Sequence, residues 1–218
     1  METGNRHVPG IDLSVSPLGS FRSAENIHSQ FNRKIQSVNV FPMEINEVRL
    51  DDLVVGKLLV SHLPGSRESF SDALNAINQK EIDSVYCLIS DEELKSKSPD
   101  YYTAVSEGRF PLELITIPIP SSGVPRELAR FVAGIESGRN LLQNGKNLLV
   151  HCDSGLGRTA TFTINLLIRI GIERLEAYTR LAEAGTGVET SEQEDLIEYL
   201  EGVNGQLVGL SEKSNKSS

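Results

Sequence analysis

Four short apolar segments alternate along the middle of the chain with longer segments in which apolar residues recur every three or four positions. The short segments predict β-strands, because apolar runs of this length between turn residues are typical of buried strands. These strands lie at 57–62, 82–89, 112–119 and 147–151. The fourth is short and mostly apolar, which is typical of a strand at the centre of a parallel sheet.

Helical periodicity appears twice before the fourth strand. Phe70, Ala73 and Ile77 fall on one face of a predicted helix that follows the first strand. A second predicted helix starts at Pro125, because proline is favoured at the first helical position.

Three further helices are predicted after the fourth strand. The helix at 158–170 is apolar nearly all round and should be buried, whereas the helix at 173–184 is mixed. The last helix opens with Ser191 and Glu194 as a predicted capping box. Because strands and helices alternate, we expect an α/β fold with a central, mostly parallel sheet flanked by helices.

Polar segments at both ends limit the predicted domain. Residues 1–45 are rich in Ser, Asn and Gly and predict an N-terminal extension, partly disordered or draped on the domain, with one ordered piece at 37–41. Residues 204–218 predict a polar C-terminal tail. The intervening domain at 46–203 is long enough to bury a sizeable core.

The composition of the chain limits the classes of partner that we expect it to bind. The formal net charge of -9 disfavours nucleic acid or an anionic membrane, because both are polyanions that bind basic surfaces. The chain has no long apolar span and no secretory start, and its two cysteines, Cys87 and Cys152, cannot make a disulfide framework. We therefore expect a cytoplasmic protein that binds anions through local geometry.

One loop carries the candidate chemistry. The string HCDSGLGRT joins the fourth strand to the buried helix, at the strand end where open α/β sheets bind their ligands. Two glycines allow successive N–H groups to face one concavity, and the helix N-terminus adds its positive dipole. Arg158 supplies a planar fork for two phosphate oxygens. The predicted phosphate-binding residues are Asp153, Ser154, Gly155, Leu156, Gly157 and Arg158.

A sulfur lies at the base of this loop. A thiol attacks phosphorus only as a thiolate, which helix N-termini and nearby cations favour. Cys152 is therefore the predicted nucleophile, with the hydroxyl of Thr159 directly behind Arg158, and attack gives a phosphocysteine. Strand alternation turns His151 away from the phosphate, so we expect His151 to order the loop backbone through hydrogen bonds.

This string resembles the active-site loop of the cysteine-dependent protein phosphatases of the tyrosine and dual-specificity class, whose pattern is His-Cys-x-x-Gly-x-Gly-Arg-Ser/Thr. The resemblance covers about residues 55–203 and is greatest to the cyclin-dependent-kinase-associated phosphatases and their microbial relatives. The less specific supporting pieces are HLPG at 62–65, SDEEL at 90–94, PIPSSGVP at 118–125 and VETSEQ at 188–193.

The resemblance implies a role for several residues. Cys152 would be the nucleophile, Arg158 would bind the phosphoryl group and Thr159 would help the thiolate leave. Gln193 would position the hydrolytic water. The family uses no metal or organic cofactor, and the implied substrate is a phosphorylated protein.

The sequence departs from the family pattern at Ser121, where relatives carry the aspartate that protonates the leaving oxygen. Loss of such a group costs about 10²-fold to 10⁴-fold in rate. A tyrosine leaving group, with a pKa of about 10, suffers less than an alkyl alcohol, so phosphotyrosine is favoured over phosphoserine and phosphothreonine. Asp153, Glu127, Asp91, Glu92 and Glu93 are conceivable substitute acids, but the favoured interpretation of each is a solvated or helix-capping carboxylate, and none is named as the acid.

Two alternative functions stay open. The first is a catalytically weak phosphate-binding module, which the missing acid allows. The second is a phosphatase that acts on small molecules, for example on inositol phosphates. The loop has no lysine between Cys152 and Arg158, and Asp153 should repel additional phosphates, which disfavours polyphosphorylated substrates.

Two other groups of residues have alternative interpretations. Cys87 is either a small core residue or a redox partner of Cys152, as in some relatives. Arg126, Arg130 and Arg139 are interpreted as an ordinary solvated face of the helix predicted from Pro125.

Overall fold

The computed structural model describes the backbone of residues 42–215 and the side chains of residues 42–203. The ordered piece predicted at 37–41 lies outside the described residues. Among the helices at 42–215, none is both long enough and apolar enough to cross a membrane.

A five-stranded sheet forms the centre of the fold. Its strands are β1 (Ile45–Val48), β2 (Leu58–Ser61), β3 (Ser84–Cys87), β4 (Glu113–Thr116) and β5 (Leu148–His151), in the spatial order β1-β2-β5-β3-β4. All neighbouring pairs are parallel except β1 with β2, which is antiparallel. The predicted mostly parallel sheet is confirmed, and β5 is its fully buried central strand.

Seven helices complete the described chain. They are α1 (Phe70–Gln79), α2 (Asp91–Lys97), α3 (Pro99–Ser106), α4 (Leu128–Gln143), α5 (Gly157–Ile170), α6 (Arg174–Glu183) and α7 (Ser191–Asn215). Helix α5 is buried from its first residue through Leu167, as its sequence predicts.

Helices cover both faces of the sheet. Alternate side chains of β5 point to opposite faces, since the side-chain period of a strand is two residues. Leu148 and Val150 join a core that contains Phe162 of α5 and further residues of α4, α6 and α7. Leu149 joins a second core that contains Ile77 of α1. The central strand is therefore clamped on both sides, which fixes the position of the loop that follows it.

Three short elements are absent from the sequence prediction. Strand β1 has only its two end residues buried, so its apolar signal is weak, and Met43 and Ile45 already pack in the second core, before the predicted domain start at 46. Helices α2 and α3 are short, and Leu94 is the one buried residue of α2. At the other end, the backbone of α7 continues to Asn215, beyond the predicted domain end at 203.

One predicted helix start and one predicted helix cap are wrong. Helix α4 begins at Leu128 rather than Pro125, because the preceding segment stays non-helical and Glu127 occupies the N-cap position. The cap of α7 is Thr190 rather than Ser191: the Thr190 hydroxyl accepts a hydrogen bond from the N–H of Gln193 at 3.3 Å. The capping pattern is thus shifted by one residue.

We expect Phe162→Ala to lower the free energy of unfolding by about 3–5 kcal/mol, because it empties a fully buried site. The ring of Phe162 makes edge contacts with Tyr86 and Phe131, each at 5.5 Å between centroids. Chemical denaturation measures the change. Leu175→Ala, at a position that is 79% exposed, is the control and should change the stability by less than about 0.5 kcal/mol.

Candidate active site

Cys152 directly follows β5, at the carboxyl end of the sheet, and is only 1% exposed. A short loop separates it from the first residue of α5, Gly157. The strand and the helix that hold this loop are both buried. The structure therefore places the sulfur at the base of a loop whose two ends are fixed.

Three carbonyl groups of the loop are bonded to donors from other parts of the fold. His151 Nδ1 contacts the carbonyl of Cys152 at 3.2 Å, the N–H of Leu63 donates to the carbonyl of Asp153 at 2.9 Å, and the hydroxyl of Thr186 donates to the carbonyl of Gly155 at 2.6 Å. In a planar trans peptide the N–H points opposite to the carbonyl. The N–H groups of Asp153 and Ser154 therefore point away from these donors, whereas the N–H of Leu156 donates to the hydroxyl of Ser154 at 3.3 Å. This orientation supports the predicted anion-binding nest.

Close contacts surround both loop glycines, with the backbone at Gly155 and with the ends of two side chains at Gly157. Gly155 has φ of 81°, and a Cβ there would lie 2.8 Å from the carbonyl oxygen of Ser61. A Cβ on Gly157 would lie 2.3 Å from Glu189 Oε2 and 2.9 Å from Gln193 Oε1. The N–H of Gly157 donates to this Glu189 oxygen at 3.1 Å. The absence of a side chain at Gly157 thus admits Glu189 and Gln193 to the edge of the loop.

His151 is fully buried and electrically neutral. Burial lowers its pKa to about 4. Because a carbonyl only accepts hydrogen bonds, Nδ1 must carry the proton that it donates to Cys152, and Nε2 then accepts from the hydroxyl of Tyr101 at 3.3 Å. This geometry agrees with the expectation that His151 orders the loop backbone.

Arg158 lies in the first turn of α5 and is only 5% exposed. Its two terminal nitrogens donate to the two carboxylate oxygens of Glu93, at 2.8 and 3.0 Å. One of them also donates to the carbonyl of Ile119 at 3.4 Å. The guanidinium plane is therefore fixed by a bidentate ion pair with α2.

The ion pair extends to the loop through Lys97. The ammonium group of Lys97 lies 3.5 Å from Glu93 and also pairs with the carboxylate of Asp153. The expectation that Asp153 repels additional phosphates therefore loses its basis, because Lys97 compensates the charge of Asp153.

Glu93 has a role that sequence reasoning did not assign to it. Both of its carboxylate oxygens accept hydrogen bonds from Arg158, so Glu93 is an orienting partner of Arg158 rather than a solvated or capping carboxylate. A signal for α2 exists in the sequence: Ser90 precedes Glu93 by three residues, as in a capping box. The hydroxyl of Ser90 accepts from the N–H of Glu93 at 3.2 Å.

The other conceivable acids are Glu92, Asp91, Glu127 and Asp153. A hydrogen bond with Ser90 lowers the pKa of Glu92. Asp91 is exposed in the first turn of α2, and Glu127 is exposed at the N-cap of α4 without a side-chain capping bond. Asp153 is paired with Lys97. We therefore assign the role of the acid to none of these four side chains.

The segment with Ser121 forms a turn. The N–H of Gly123 donates to the carbonyl of Pro120 at 3.1 Å, and Ser122 adopts φ of 54°. Ser121 itself is exposed. Gln193 Nε2 donates to the carbonyl of Gly123 at 3.3 Å, so Gln193 connects this turn to α7. Its predicted role with the hydrolytic water stays a prediction.

Thr159 and Cys87 are both fully buried. Within residues 42–203 the hydroxyl of Thr159 has no hydrogen-bond partner, so its predicted assistance to the thiolate stays a prediction. Burial raises the pKa of Cys87 to about 12, and its sulfur contacts the carbonyl of Ile89 at 3.9 Å. These features favour the core interpretation of Cys87 over the redox interpretation.

A pocket of about 330 Å³ lies beside Arg158, between α2 and the segment that precedes α4. Glu93 and Ile119, which both contact Arg158, line it together with Arg126 and Glu127. Arg130 and Arg139 are not among its lining residues: Arg130 donates to the carbonyl of Thr116 at 2.6 Å, and Arg139 pairs with Glu136. Arg126 is thus the one member of the predicted solvated face that adjoins the site.

Several solved structures that share this fold are phosphatases. A kinase associated phosphatase with its catalytic cysteine replaced by serine has a TM-score of 0.64 and 21% identity, over 77% of this chain and 97% of that chain. Tk-PTP in its active form has a TM-score of 0.56 and 26% identity, over 72% and 97%. PTPMT1 in complex with PI(5)P has a TM-score of 0.52 and 19% identity, over 69% and 94%.

These neighbours show that the chain has the protein tyrosine phosphatase-like fold, and they include the kinase-associated phosphatase that its sequence resembles. No family model and no curated protein matches the chain.

Replacement of Glu93 by Gln should destabilise the fold by about 3 kcal/mol, because it leaves the buried Arg158 without its counter-charge. Urea denaturation at neutral pH measures this loss. Glu92→Gln, at the exposed neighbouring position, is the matched control and should leave the unfolding midpoint nearly unchanged. Equal midpoints for both variants would contradict the role of Glu93.

His151 should make the protein less stable as the pH falls from 6.5 toward 4. In this interval the unfolded histidine binds a proton that the folded one, with its pKa near 4, does not bind. The resulting loss is about 3 kcal/mol. Denaturation at a series of pH values should show a shallower dependence for His151→Asn; an unchanged dependence would refute the assignment.

Proposed function

We propose that the chain is a phosphoprotein phosphatase that acts on phosphotyrosine through a phosphocysteine on Cys152. One observation carries this proposal. A buried cysteine and a buried, bidentately oriented arginine flank a loop whose bonded carbonyls turn its N–H groups the opposite way. This arrangement suits a tetrahedral dianion, because a fixed guanidinium and the N–H groups of a loop at a helix N-terminus are both donors that bind phosphate oxygens.

Arg158 keeps donors for the phosphoryl group. A guanidinium has five N–H groups; Glu93 accepts from two of them and the carbonyl of Ile119 from a third, which leaves two. The remaining N–H groups can bind two phosphate oxygens, and the ion pair with Glu93 holds them in a fixed plane. The charge of Arg158 also stabilises the negative charge that develops on the equatorial oxygens in the transition state.

The reaction has two steps. The thiolate of Cys152 attacks phosphorus, the bond between phosphorus and the leaving oxygen breaks, and that oxygen acquires a proton. Water then attacks the phosphocysteine, the bond between sulfur and phosphorus breaks, and inorganic phosphate and the thiolate are released. The neutral His151 takes no proton in either step and positions the loop instead.

The side chain that carries the phosphate is proposed to be tyrosine. The sulfur is almost wholly buried, so the phosphorus must be delivered at the end of a long side chain, and tyrosine is longer than serine or threonine. A phenolic leaving group also needs less protonation than an alkyl alcohol, which matters because Ser121 cannot supply an acid. The adjoining pocket with Arg126 and Glu127 has the mixed charge that suits flanking peptide residues.

A phosphate-binding module is the second candidate, and the exposed Ser121 in place of an acid favours it. Such a module would hold a phosphorylated partner in the same loop and release phosphate slowly. The small-molecule alternative is tested alongside it by comparing substrates.

Purified protein should hydrolyse p-nitrophenyl phosphate, whose leaving group needs little protonation, and Cys152→Ser should abolish turnover. Cys87→Ala, which removes the other cysteine thiol, should retain activity. A phosphotyrosine peptide should be a better substrate than a phosphothreonine peptide or an inositol phosphate. Tight phosphopeptide binding without hydrolysis of p-nitrophenyl phosphate would favour the binding module, and preference for inositol phosphate would contradict the protein substrate.

A further inference from the structure

Glu189 places a carboxylate directly on the predicted phosphate-binding loop. Its Oε2 accepts the N–H of Gly157, at the point where the loop enters α5, at 3.1 Å. Within residues 42–203, Glu189 forms no ion pair with a lysine, arginine or histidine. It differs in this from Glu93 and Asp153, which are paired with Arg158 and Lys97. Glu189 is thus a carboxylate at the loop that no cation of residues 42–203 engages.

Hydrogen bonds of the backbone around Glu189 hold this residue next to the loop. The N–H of Glu189 donates to Gln193 Oε1 at 2.9 Å, and the buried Gln193 also bonds to the turn that follows Ser121. The next residue, Thr190, caps α7. Gly157 is the complementary feature, because any side chain there would overlap the Glu189 carboxylate. Two separate segments are therefore shaped around this contact.

We propose that Glu189 is the catalytic acid and base that replaces the aspartate missing at Ser121. This inference rests on the proposed phosphatase function. A phosphate bound in the loop would lie beside the carboxylate, and two adjacent anions are stabilised when they share a proton. Because Glu189 is exposed at the edge of the loop, its carboxyl group can turn from Gly157 toward the leaving oxygen.

The proton balance of both steps is complete. In the first step, the Glu189 carboxylic acid gives its proton to the leaving oxygen as that oxygen separates from phosphorus and the sulfur of Cys152 bonds to it. In the second step, the Glu189 carboxylate takes a proton from water as the water oxygen bonds to phosphorus and the bond to sulfur breaks. Glu189 is thereby restored to its acid form.

A purely structural role predicts a different outcome. If Glu189 only caps the N-terminus of α5, its removal should affect every substrate to the same extent. If it acts as the acid, the effect must grow with the pKa of the leaving group, because poor leaving groups need the proton most.

The test uses Glu189→Gln, which keeps a hydrogen-bond acceptor for Gly157 but has no proton to transfer. Glu192→Gln, an exposed position in the first turn of α7, is the matched control. The full-length protein is assayed with aryl phosphates whose leaving groups range from p-nitrophenol to phenol, and with a phosphotyrosine peptide. Logarithms of kcat/KM are plotted against leaving-group pKa, and unfolding midpoints show that the variants are folded.

We expect Glu189→Gln to lower kcat/KM for phenyl phosphate by about 10²-fold and to change it far less for p-nitrophenyl phosphate. The plot should therefore be steeper than for the wild type, whereas the Glu192→Gln plot should coincide with it. Parallel plots for wild type and Glu189→Gln would overturn the proposal.

A failure of the proposed phosphatase function gives a different result from a failure of the role proposed for Glu189. If the wild type does not hydrolyse p-nitrophenyl phosphate, the phosphatase assignment itself fails. If hydrolysis occurs, depends on Cys152 and shows parallel plots, only the role of Glu189 fails. A third result is parallel plots together with tighter binding of inorganic phosphate to Glu189→Gln than to the wild type. This result would mean that the Glu189 carboxylate competes with phosphate for the loop, and it would also overturn the proposal.

Discussion

The ion pair between Arg158 and Glu93 is the interaction on which the candidate site depends. A guanidinium that is 5% exposed needs a counter-charge, since removal of one partner from a buried ion pair costs about 3–5 kcal/mol. This requirement explains why a short polar helix, with one buried apolar residue, is packed against the loop. The pair also fixes the plane of the guanidinium before any phosphate is bound.

The remaining geometry of the loop follows from hydrogen bonds to its carbonyl groups. Their donors come from His151 at the end of β5, from Leu63 after β2 and from Thr186 after α6. Because each donor belongs to a different part of the fold, the orientation of the loop N–H groups is a property of the whole domain. Neutral His151 fits this role, since a charged imidazolium would be costly in a fully buried position.

The fold is shared with phosphatases at low sequence identity, and the site combines common and divergent features. The cysteine, the glycines and the arginine occur in the pattern of the family that the sequence resembles. The position of the missing acid, in contrast, is occupied by an exposed serine. The proposed transfer of acid and base chemistry to Glu189 would keep the protonation step while changing the segment that supplies it.

The sequence by itself determined the α/β layers, the central strand and the loop from Cys152 to Arg158, because these depend on local periodicity and on neighbouring residues. It did not reveal β1, α2 or α3, whose apolar signals are short. Only the tertiary structure decided the partners of the loop, since Glu93 is 65 positions from Arg158 and Glu189 is 32 positions from Gly157. A carboxylate in a sequence has no inherent role: whether it orients an arginine, compensates a lysine or adjoins a phosphate depends on which distant residue the fold brings within hydrogen-bond distance.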